Sequence, residues 1–323
     1  MNILITGATG FLGFHIAKIL KDQGHNVLNF SRSHTNELTD IGVETIKGDI
    51  TSKDDIDKAL NGIDVIFNVA SKVGMWGKWD DFYKINFEGT KNLVDLAKKN
   101  NIQYFIHTST PSVVFGKEAI ENGNEELPYP NEYLSLYAKS KALGESYVLE
   151  NASESFKCCS LRPHLIYGKR DKNIIPRLIE ARKKNKLKII GDGQNIVDVI
   201  HVENAAWAHI DAFNELLSEA KNNGKAYFIA QEKPVRLWAF INNVLEVKGL
   251  ERVTKKISLK ASYSLGLVIE LFLKLFKIYN IHPPMTRFVA LQLGTSHYFS
   301  HKRAQEDFNY KVRITLEDSL KEI

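Results

Sequence analysis

The chain has 323 residues, 44% hydrophobic and 25% charged, with 43 Lys and Arg against 38 Asp and Glu for a net charge of +5. Such a balance fits a globule of one large domain and a smaller one; the basic residues are scattered, the densest run (182–186) closing a predicted helix, so nucleic-acid binding is not expected. Adjacent Cys158 and Cys159 offer neither a disulfide framework nor metal-ligand spacing, no run of about 18 apolar residues marks a membrane span, and no basic leader precedes the glycine-broken N-terminus, so a metal-free cytoplasmic chain is expected.

The first predicted strand, 3–6, runs into Gly7-Ala8-Thr9-Gly10-Phe11-Leu12-Gly13, three glycines spaced three apart at a strand-to-helix turn. Gly7 permits the sharp turn, Gly10 lets the backbone approach a pyrophosphate, and Gly13 lets the helix pack closely on the sheet. The helix start, with Thr9, Phe11 and Leu12, presents N–H groups that have no partner inside the helix and can bind the anion. The second strand, 27–30, leads into Ser31-Arg32-Ser33, with no acid to bind the ribose hydroxyl of NAD. Arg32 can instead pair with a 2′-phosphate and lie on the adenine, and Ser31 can add a hydrogen bond, so NADP is expected over NAD.

The third strand, 43–46, precedes Gly48-Asp49-Ile50, placed for the adenine. Asp49 can accept from the adenine amine or cap the next helix, which is predicted from Thr51 with Asp54 completing a capping box. The fourth strand, 65–68, ends in Asn68-Val69-Ala70-Ser71, where small residues let the backbone approach the ribose. Beyond it Met75, Trp76, Trp79 and Tyr83 either line an apolar tunnel or belong to the core, and Lys72 either meets a substrate carboxylate or stands in solvent. A helix is predicted over 81–100 from its apolar spacing.

The fifth strand, 104–108, ends in the hydroxyl-rich run Thr108-Ser109-Thr110-Pro111-Ser112. Farther on, Tyr137 and Lys141 stand four apart, on one face of a helix. A free phenol loses its proton near pH ~10, and a neighbouring ammonium moves that value toward neutrality, which makes the pair an acid–base candidate. A sixth strand, 158–161, leads into Arg162-Pro163-His164. Alternating strands and helices predict an α/β fold, a doubly wound parallel (Rossmann) sheet with the cofactor at the carboxyl ends of its strands.

After residue 170 the pattern loosens into a helix over 174–184, a strand over 188–191, a helix over 202–217 and a strand over 226–229. Residues 1–170, with 195–230 returning to them, are expected to form the dinucleotide-binding domain; 171–194 and 231–323 are expected to form a smaller α/β substrate lobe. His201 and Asn204, at a strand–helix junction, read as structural. In 262–281 a single stripe of Glu270, Lys274 and Lys277 interrupts an otherwise apolar helix, which fits a core helix, a lid or a membrane-surface face.

Over nearly its whole length the chain resembles the extended short-chain dehydrogenase/reductases. The resemblance is carried by the glycine loop, Gly48-Asp49, Asn86-Phe87-Glu88-Gly89-Thr90, the 108–112 run, Tyr137-Ala138-Lys139-Ser140-Lys141 and Leu161-Arg162-Pro163. It implies that Tyr137 and Lys141 do the proton chemistry, that Thr110 or the neighbouring Ser109 orients a carbonyl, and that Asn86 supports a proton relay. It also implies cofactor contacts from Thr108 and Pro163, and for His164 a place at the nicotinamide end or in the core.

Within that superfamily the chain is similar to the branch of 3β-hydroxysteroid dehydrogenases, sterol-4-carboxylate 3-dehydrogenases and bacterial 2-alkyl-3-oxoalkanoate reductases. This likeness rests on Ala70-Ser71-Lys72-Val73-Gly74-Met75-Trp76-Gly77, the 108–113 run, Gly191-Asp192-Gly193-Gln194-Asn195-Ile196-Val197-Asp198, 283–288 and His297-Tyr298. The Trp76 loop and the 108–113 run fit the last group, which serves olefin synthesis by way of β-lactones. The implied reaction is NADP-dependent reduction of a ketone, a long-chain 2-alkyl-3-oxoalkanoate, to the secondary alcohol. The alternative is a 3β-hydroxysteroid or sterol-4-carboxylate dehydrogenase using NAD(P). A nucleotide-sugar epimerase and a non-catalytic NADP sensor are more remote. The resemblance further implies a homodimer through the helices around 81–100 and 132–150.

Overall fold

Strand and helix alternate through the first half of the computed structural model, which describes residues 1–323. The strands there are β1 (Asn2–Thr6), β2 (Asn26–Ser31), β3 (Glu44–Lys47), β4 (Val65–Asn68), β5 (Tyr104–Thr108), a short β6 (Ile120–Gly123) and β7 (Lys157–Pro163). Between them lie α1 (Phe11–Asp22), α2 (Asn36–Asp40), α3 (Lys53–Ala59), α4 (Trp79–Phe82), α5 (Gly89–Lys99) and α6 (Leu136–Glu150). The second half adds β8 (Ile166–Tyr167), β9 (Ile189–Ile190), β10 (Ile196–Val197), β11 (Ile200–His201), β12 (Lys225–Ile229), β13 (Val235–Arg236), β14 (Lys256–Ile257) and β15 (His297–Phe299). Its helices are α7 (Ile174–Lys183), α8 (Val202–Leu217), α9 (Leu237–Val247), α10 (Leu259–Leu275), α11 (Arg287–Gly294), α12 (Lys302–Phe308) and α13 (Leu316–Lys321).

Seven strands form one parallel sheet in the order β12-β7-β5-β4-β1-β2-β3. From β1 the chain first steps outward through β2 and β3, then returns to β4 and runs the other way. The crevice at the carboxyl ends of β1 and β4 is therefore the switch point where such folds bind ligands. Ile3, Leu4, Ile5, Val65, Ile66 and Phe67 are wholly buried, because helices cover both faces of the sheet. One face packs Leu12, Ile16 and Leu20 of α1 with Ala205, Phe213 and Leu216 of α8. The other packs Ile56 of α3, Leu93 and Val94 of α5, and Val148 of α6.

A smaller lobe forms around a sheet in the order β13-β10-β15-β6 and a core that includes Ile175, Ile190, Trp238, Ile241 and Val244. The chain crosses between the lobes more often than its segment pattern implies. Residues 120–123 and 196–197 pair in the small sheet, while Ala304, Phe308 and Tyr310 close over the core of the large one. No helix is long and apolar enough to cross a membrane.

Three predicted helices differ in detail. The helix expected from Thr51 starts at Lys53, capped by Ser52 Oγ accepting from Asp55 N (3.3 Å). The helix expected over 81–100 starts at Trp79 and contains a π turn over Tyr83–Glu88. Here α6 comes so close that a Cβ on Gly144 would lie 2.5 Å from the Asn86 carbonyl oxygen. The helix expected over 262–281 ends at Leu275, with Lys277 in the left-handed region (φ 53°). Its expected outward polar stripe is divided: Glu270 is buried in an ion pair with Arg287, and Lys274 and Lys277 are exposed.

Candidate active site

Gly7 sits at φ 74° with its α-carbon against Ala70, where a Cβ would lie 3.0 Å from the Ala70 α-carbon. A Cβ on Gly13 would lie 2.5 Å from the Gly7 carbonyl oxygen, so the start of α1 can approach the loop only with glycine there. Gly10 caps α1 with no side-chain hydrogen bond, which leaves the N–H groups about Phe11 and Leu12 open to an anion. Two buried side chains brace this turn. Asn29 Oδ1 accepts from Ala8 N (3.0 Å), and Thr6 Oγ1 accepts from Val69 N and Ala70 N (3.1 Å each) while donating to Asn68 Oδ1 (2.8 Å).

The cradle fits a dinucleotide pyrophosphate: close backbone, an uncapped helix start, and Thr9, Ala70 and Ser71 half-buried at its edge. Gly13→Ala is expected to force α1 off the loop, at an overpacking cost of about 1–3 kcal/mol. NADH affinity, read by fluorescence titration, should fall about tenfold or more.

Past the ends of β2 and β3, Arg32, Lys47, Gly48, Asp49 and Asp55 line a cavity of about 380 Å³. Arg32 is exposed. Asp49 Oδ1 accepts from Thr51 N (2.9 Å) and Thr51 Oγ1 (2.8 Å), which holds its carboxyl below the usual range, with the Arg32 charge adding to the effect. Asp49 thus braces the turn that leads into α3, whose cap is Ser52. Ser31 Oγ donates to the Ser33 carbonyl and accepts from Asn29 Nδ2 (2.9 Å). Ile50 is buried under Gly89.

The hydroxyls meet at the carboxyl end of β5. Thr110 is buried, its Oγ1 accepts from Ser112 N (3.2 Å) and donates to Ser112 Oγ (3.2 Å), and its hydroxyl lies beside the Tyr137 phenol. Ser109 points the opposite way, as consecutive residues of extended chain do, and is buried beside Glu145. Burial pushes the Tyr137 phenol up to about 12, and the Thr110 hydroxyl beside it works against that rise. Lys141 lies one helical turn beyond Tyr137 on α6 and is buried. Its Nζ donates to the Thr108 carbonyl (2.6 Å) and faces His107 Nε2 at 3.3 Å. Burial pushes Lys141 down to about 8, and the charge of Glu145, one turn on, opposes the shift.

His107 is the group that sequence spacing does not reveal. It is fully buried, and burial and the Lys141 charge hold it neutral. Thr6 accepts two N–H groups and so must give its own proton to Asn68 Oδ1. That turns Asn68 Nδ2 toward Thr90 Oγ1 (3.1 Å) and His107 Nδ1 (3.1 Å). Nδ1 is then an acceptor, the imidazole carries its proton on Nε2, and Lys141 meets an N–H on that side. Thr108 Oγ1 is bonded to His209 Nε2 (2.9 Å).

Asn86 is wholly engaged in holding the loop after β4. Its Oδ1 accepts from Lys72 N (2.7 Å), and its Nδ2 donates to the Lys72 carbonyl (2.9 Å) and to Ser140 Oγ (2.9 Å). The Lys72 side chain is exposed, as is Met75. Trp76 Nε1 donates to the Ile278 carbonyl (2.8 Å), and its ring stacks on Tyr279 with centroids 6.0 Å apart. Trp79 and Tyr83 stand ring to ring (5.2 Å) on the helix below. Pro163 ends β7 in the interior. His164 is buried and stacked on His297 (centroids 4.8 Å), with Nε2 2.9 Å from His297 Nδ1, in a cluster with Phe115 and Phe299. It therefore occupies the core rather than the open site. Asn204 ties α8 to Gln231 (2.6 Å) and the Ile314 carbonyl (2.7 Å), and His201 lies buried beside it.

Comparison with known proteins agrees with this geometry. The 3-beta hydroxysteroid dehydrogenase/isomerase family matches residues 4–261. The chain is 38% identical over 325 residues to a 2-alkyl-3-oxoalkanoate reductase of Stenotrophomonas maltophilia (strain K279a), covering 100% of this chain and 98% of that one. It is 32% identical over 322 residues to the sterol-4-alpha-carboxylate 3-dehydrogenase, decarboxylating, of Mus musculus, covering 98% of this chain and 88% of that one. Among solved structures, UDP-glucuronic acid 4-epimerase from Bacillus cereus in complex with NAD superposes with a TM-score of 0.76 at 22% identity, over 100% of this chain and 97% of that one.

That structure and four other solved neighbours hold NAD. The expectation of NADP over NAD is corrected accordingly. Beside Arg32 the same cavity is lined by the carboxylates of Asp49 and Asp55 together with Lys47, so its lining is not the purely cationic one that a missing acid at the end of β2 suggests.

Proposed function

The chain belongs to the 3-beta hydroxysteroid dehydrogenase/isomerase family and is an NAD(P)-dependent oxidoreductase acting on CH–OH groups; from that premise we propose that it reduces a long-chain 2-alkyl-3-oxoalkanoate to the 2-alkyl-3-hydroxyalkanoate. The observation that carries the reading is the hydroxyls of Thr110 and Tyr137 side by side at the carboxyl end of β5, next to the switch point of the sheet, with Lys141 buried against the end of the same strand. Similarity to the Stenotrophomonas maltophilia reductase over the whole chain supports the substrate class.

When bound, the dinucleotide supplies the hydride. Thr110 and Tyr137 hold the ketone oxygen, and Tyr137 delivers its proton as negative charge grows there. Lys141, tied to the Thr108 carbonyl, places a positive charge below that oxygen. Asn86 serves as a positioning residue, fixing the Lys72 backbone and thereby the loop that borders the substrate. The substrate lies in the cleft between the two lobes, with its chain along the side of the Trp76 loop. Leu136 and Leu143 are exposed on α6, which supports a homodimer through α5 and α6.

A second reading, oxidation at the 3-hydroxyl of a sterol 4-carboxylate, draws on the Mus musculus relative. Both are tested by following NADH absorbance with a synthetic 2-alkyl-3-keto acid, in parallel with a 3β-hydroxysteroid and NAD. NADH oxidation with the keto acid is the expected result; steroid turnover alone would transfer the assignment to the second reading.

A further inference from the structure

Helix α10 is built inside out. Its buried face holds Ser262, Gly266, Glu270 and Leu273, packed so tightly on α11 that a Cβ on Gly266 would lie 2.5 Å from the Thr286 carbonyl carbon. Glu270 Oε1 accepts from Arg287 N (2.7 Å) and Oε2 from Arg287 Nε (2.8 Å), so the helix's one acid is neutralised within the protein. The opposite face is apolar and open: Leu265, Val268, Leu271, Phe272, Leu275 and Phe276 are all exposed, Val268 by 63% and Leu275 by 76%. At 3.6 residues per turn these positions fall on one stripe, and Lys260 and Lys274 fall about a quarter to a third of a turn to one side of it. A contiguous apolar face of this kind on a folded chain marks an interaction surface.

Its charge setting indicates the partner. Over 252–305 Glu270 is the only acid, while Lys255, Lys256, Lys260, Lys274 and Lys277 are all exposed around the two ends of α10. A leucine- and phenylalanine-rich face with lysines at its border complements an anionic lipid surface. The patch is also continuous with the candidate site. Trp76, in the loop that Asn86 clamps, bonds to the Ile278 carbonyl and stacks on Tyr279 just past the end of α10, and Val73 and Met75 beside it are exposed.

We propose that α10 lies on an anionic lipid surface, with its apolar face in the acyl boundary, so that the mouth bordered by the Trp76 loop opens toward the bilayer. The test is co-sedimentation of the full chain with vesicles of phosphatidylcholine alone and with added phosphatidylglycerol. Binding is expected to the anionic vesicles, to weaken as salt is raised, and to drop about fivefold for each of Lys274→Gln and Lys277→Gln. The triple variant Leu271→Ser, Phe272→Ser, Leu275→Ser should abolish pelleting. Because these side chains point outward, its circular dichroism and its turnover of a short, water-soluble ketone should stay at the parent level. Equal pelleting of parent and triple variant, or none by the parent, would overturn the proposal. So would a concentration-dependent doubling of mass in light scattering that the triple variant lacks, which assigns the face to a second copy of the chain. The readout is vesicle binding, so the outcome is independent of which ketone the site reduces.

Discussion

Tyr137→Phe is expected to lower kcat for ketone reduction by about 10²–10⁴-fold, the usual contribution of a positioned acid. The substitution removes one oxygen from a half-buried side chain, so the thermal melt and NADH titration should match the parent. The expected loss then belongs to holding and protonating the ketone oxygen. Thr110→Val should also slow the reaction, and Thr110→Ser should restore most of it, because a serine hydroxyl can still donate to the same oxygen. The pH dependence follows from Lys141, which burial pushes down to about 8. Below that value the side chain is an ammonium and stabilises charge on the substrate oxygen; above it the charge is gone. The kcat/KM for reduction should therefore fall as pH rises through about 8, while the Tyr137 phenol, pushed up to about 12, stays protonated across the same range. A Tyr137→Phe enzyme with parental kcat would remove the tyrosine from the chemistry and with it the proposed mechanism.

The parts of the site that can be read from sequence are those fixed by local spacing. A glycine triplet after an apolar strand can place its backbone in few ways, and a tyrosine four residues before a lysine must share its helix face. Thr6, Asn29, Asn68 and His107 escape that reading because their partners are distant in sequence: Asn29 braces Ala8, and His107 faces Lys141. Their one signal is a polar residue inside an otherwise apolar strand, which a buried position permits only with a hydrogen-bond partner. Arg32 shows the converse. The missing acid at the end of β2 is local information, whereas the carboxylates that face Arg32 come from Asp49 and Asp55 on the next segment.

In α10 the pattern gives an amphipathic helix but not which face turns inward. Periodicity sets the stripe, and Arg287, seventeen residues beyond Glu270, decides that the face with the acid turns inward while Lys274 and Lys277 stay exposed. His164 and Asn86 make the same point about roles. Both lie where the family pattern expects them, yet His297 holds the first in the core and Lys72 engages the second. The chain pattern places side chains on elements, and only the tertiary partner fixes what each side chain does.

The largest stability effect is expected from Glu145→Ala. Glu145 is wholly buried on α6, and Arg162 on β7 is 4% exposed. The guanidinium gives Nε to Oε2 at 3.0 Å and Nη2 to Oε1 at 2.7 Å, lies over the Phe228 ring, and shares the carboxylate with the Tyr129 hydroxyl (2.7 Å). Removing the carboxylate strands a cation in the interior, which costs about 3–5 kcal/mol. Chemical denaturation should show a loss of that size, whereas Glu180→Ala, at an exposed pair with Lys184, should leave the midpoint unchanged. The double variant Glu145→Leu, Arg162→Leu removes both charges and should recover much of the loss, because the desolvation penalty disappears with the pair. Function should register the change as well. Glu145 lies one turn beyond Lys141 and its charge raises the lysine's pKa, so in Glu145→Ala the fall of kcat/KM with pH should begin lower than in the parent. A single variant as stable as the parent would mean that water reaches Arg162, and that the pair neither anchors α6 to the sheet nor sets the charge of Lys141.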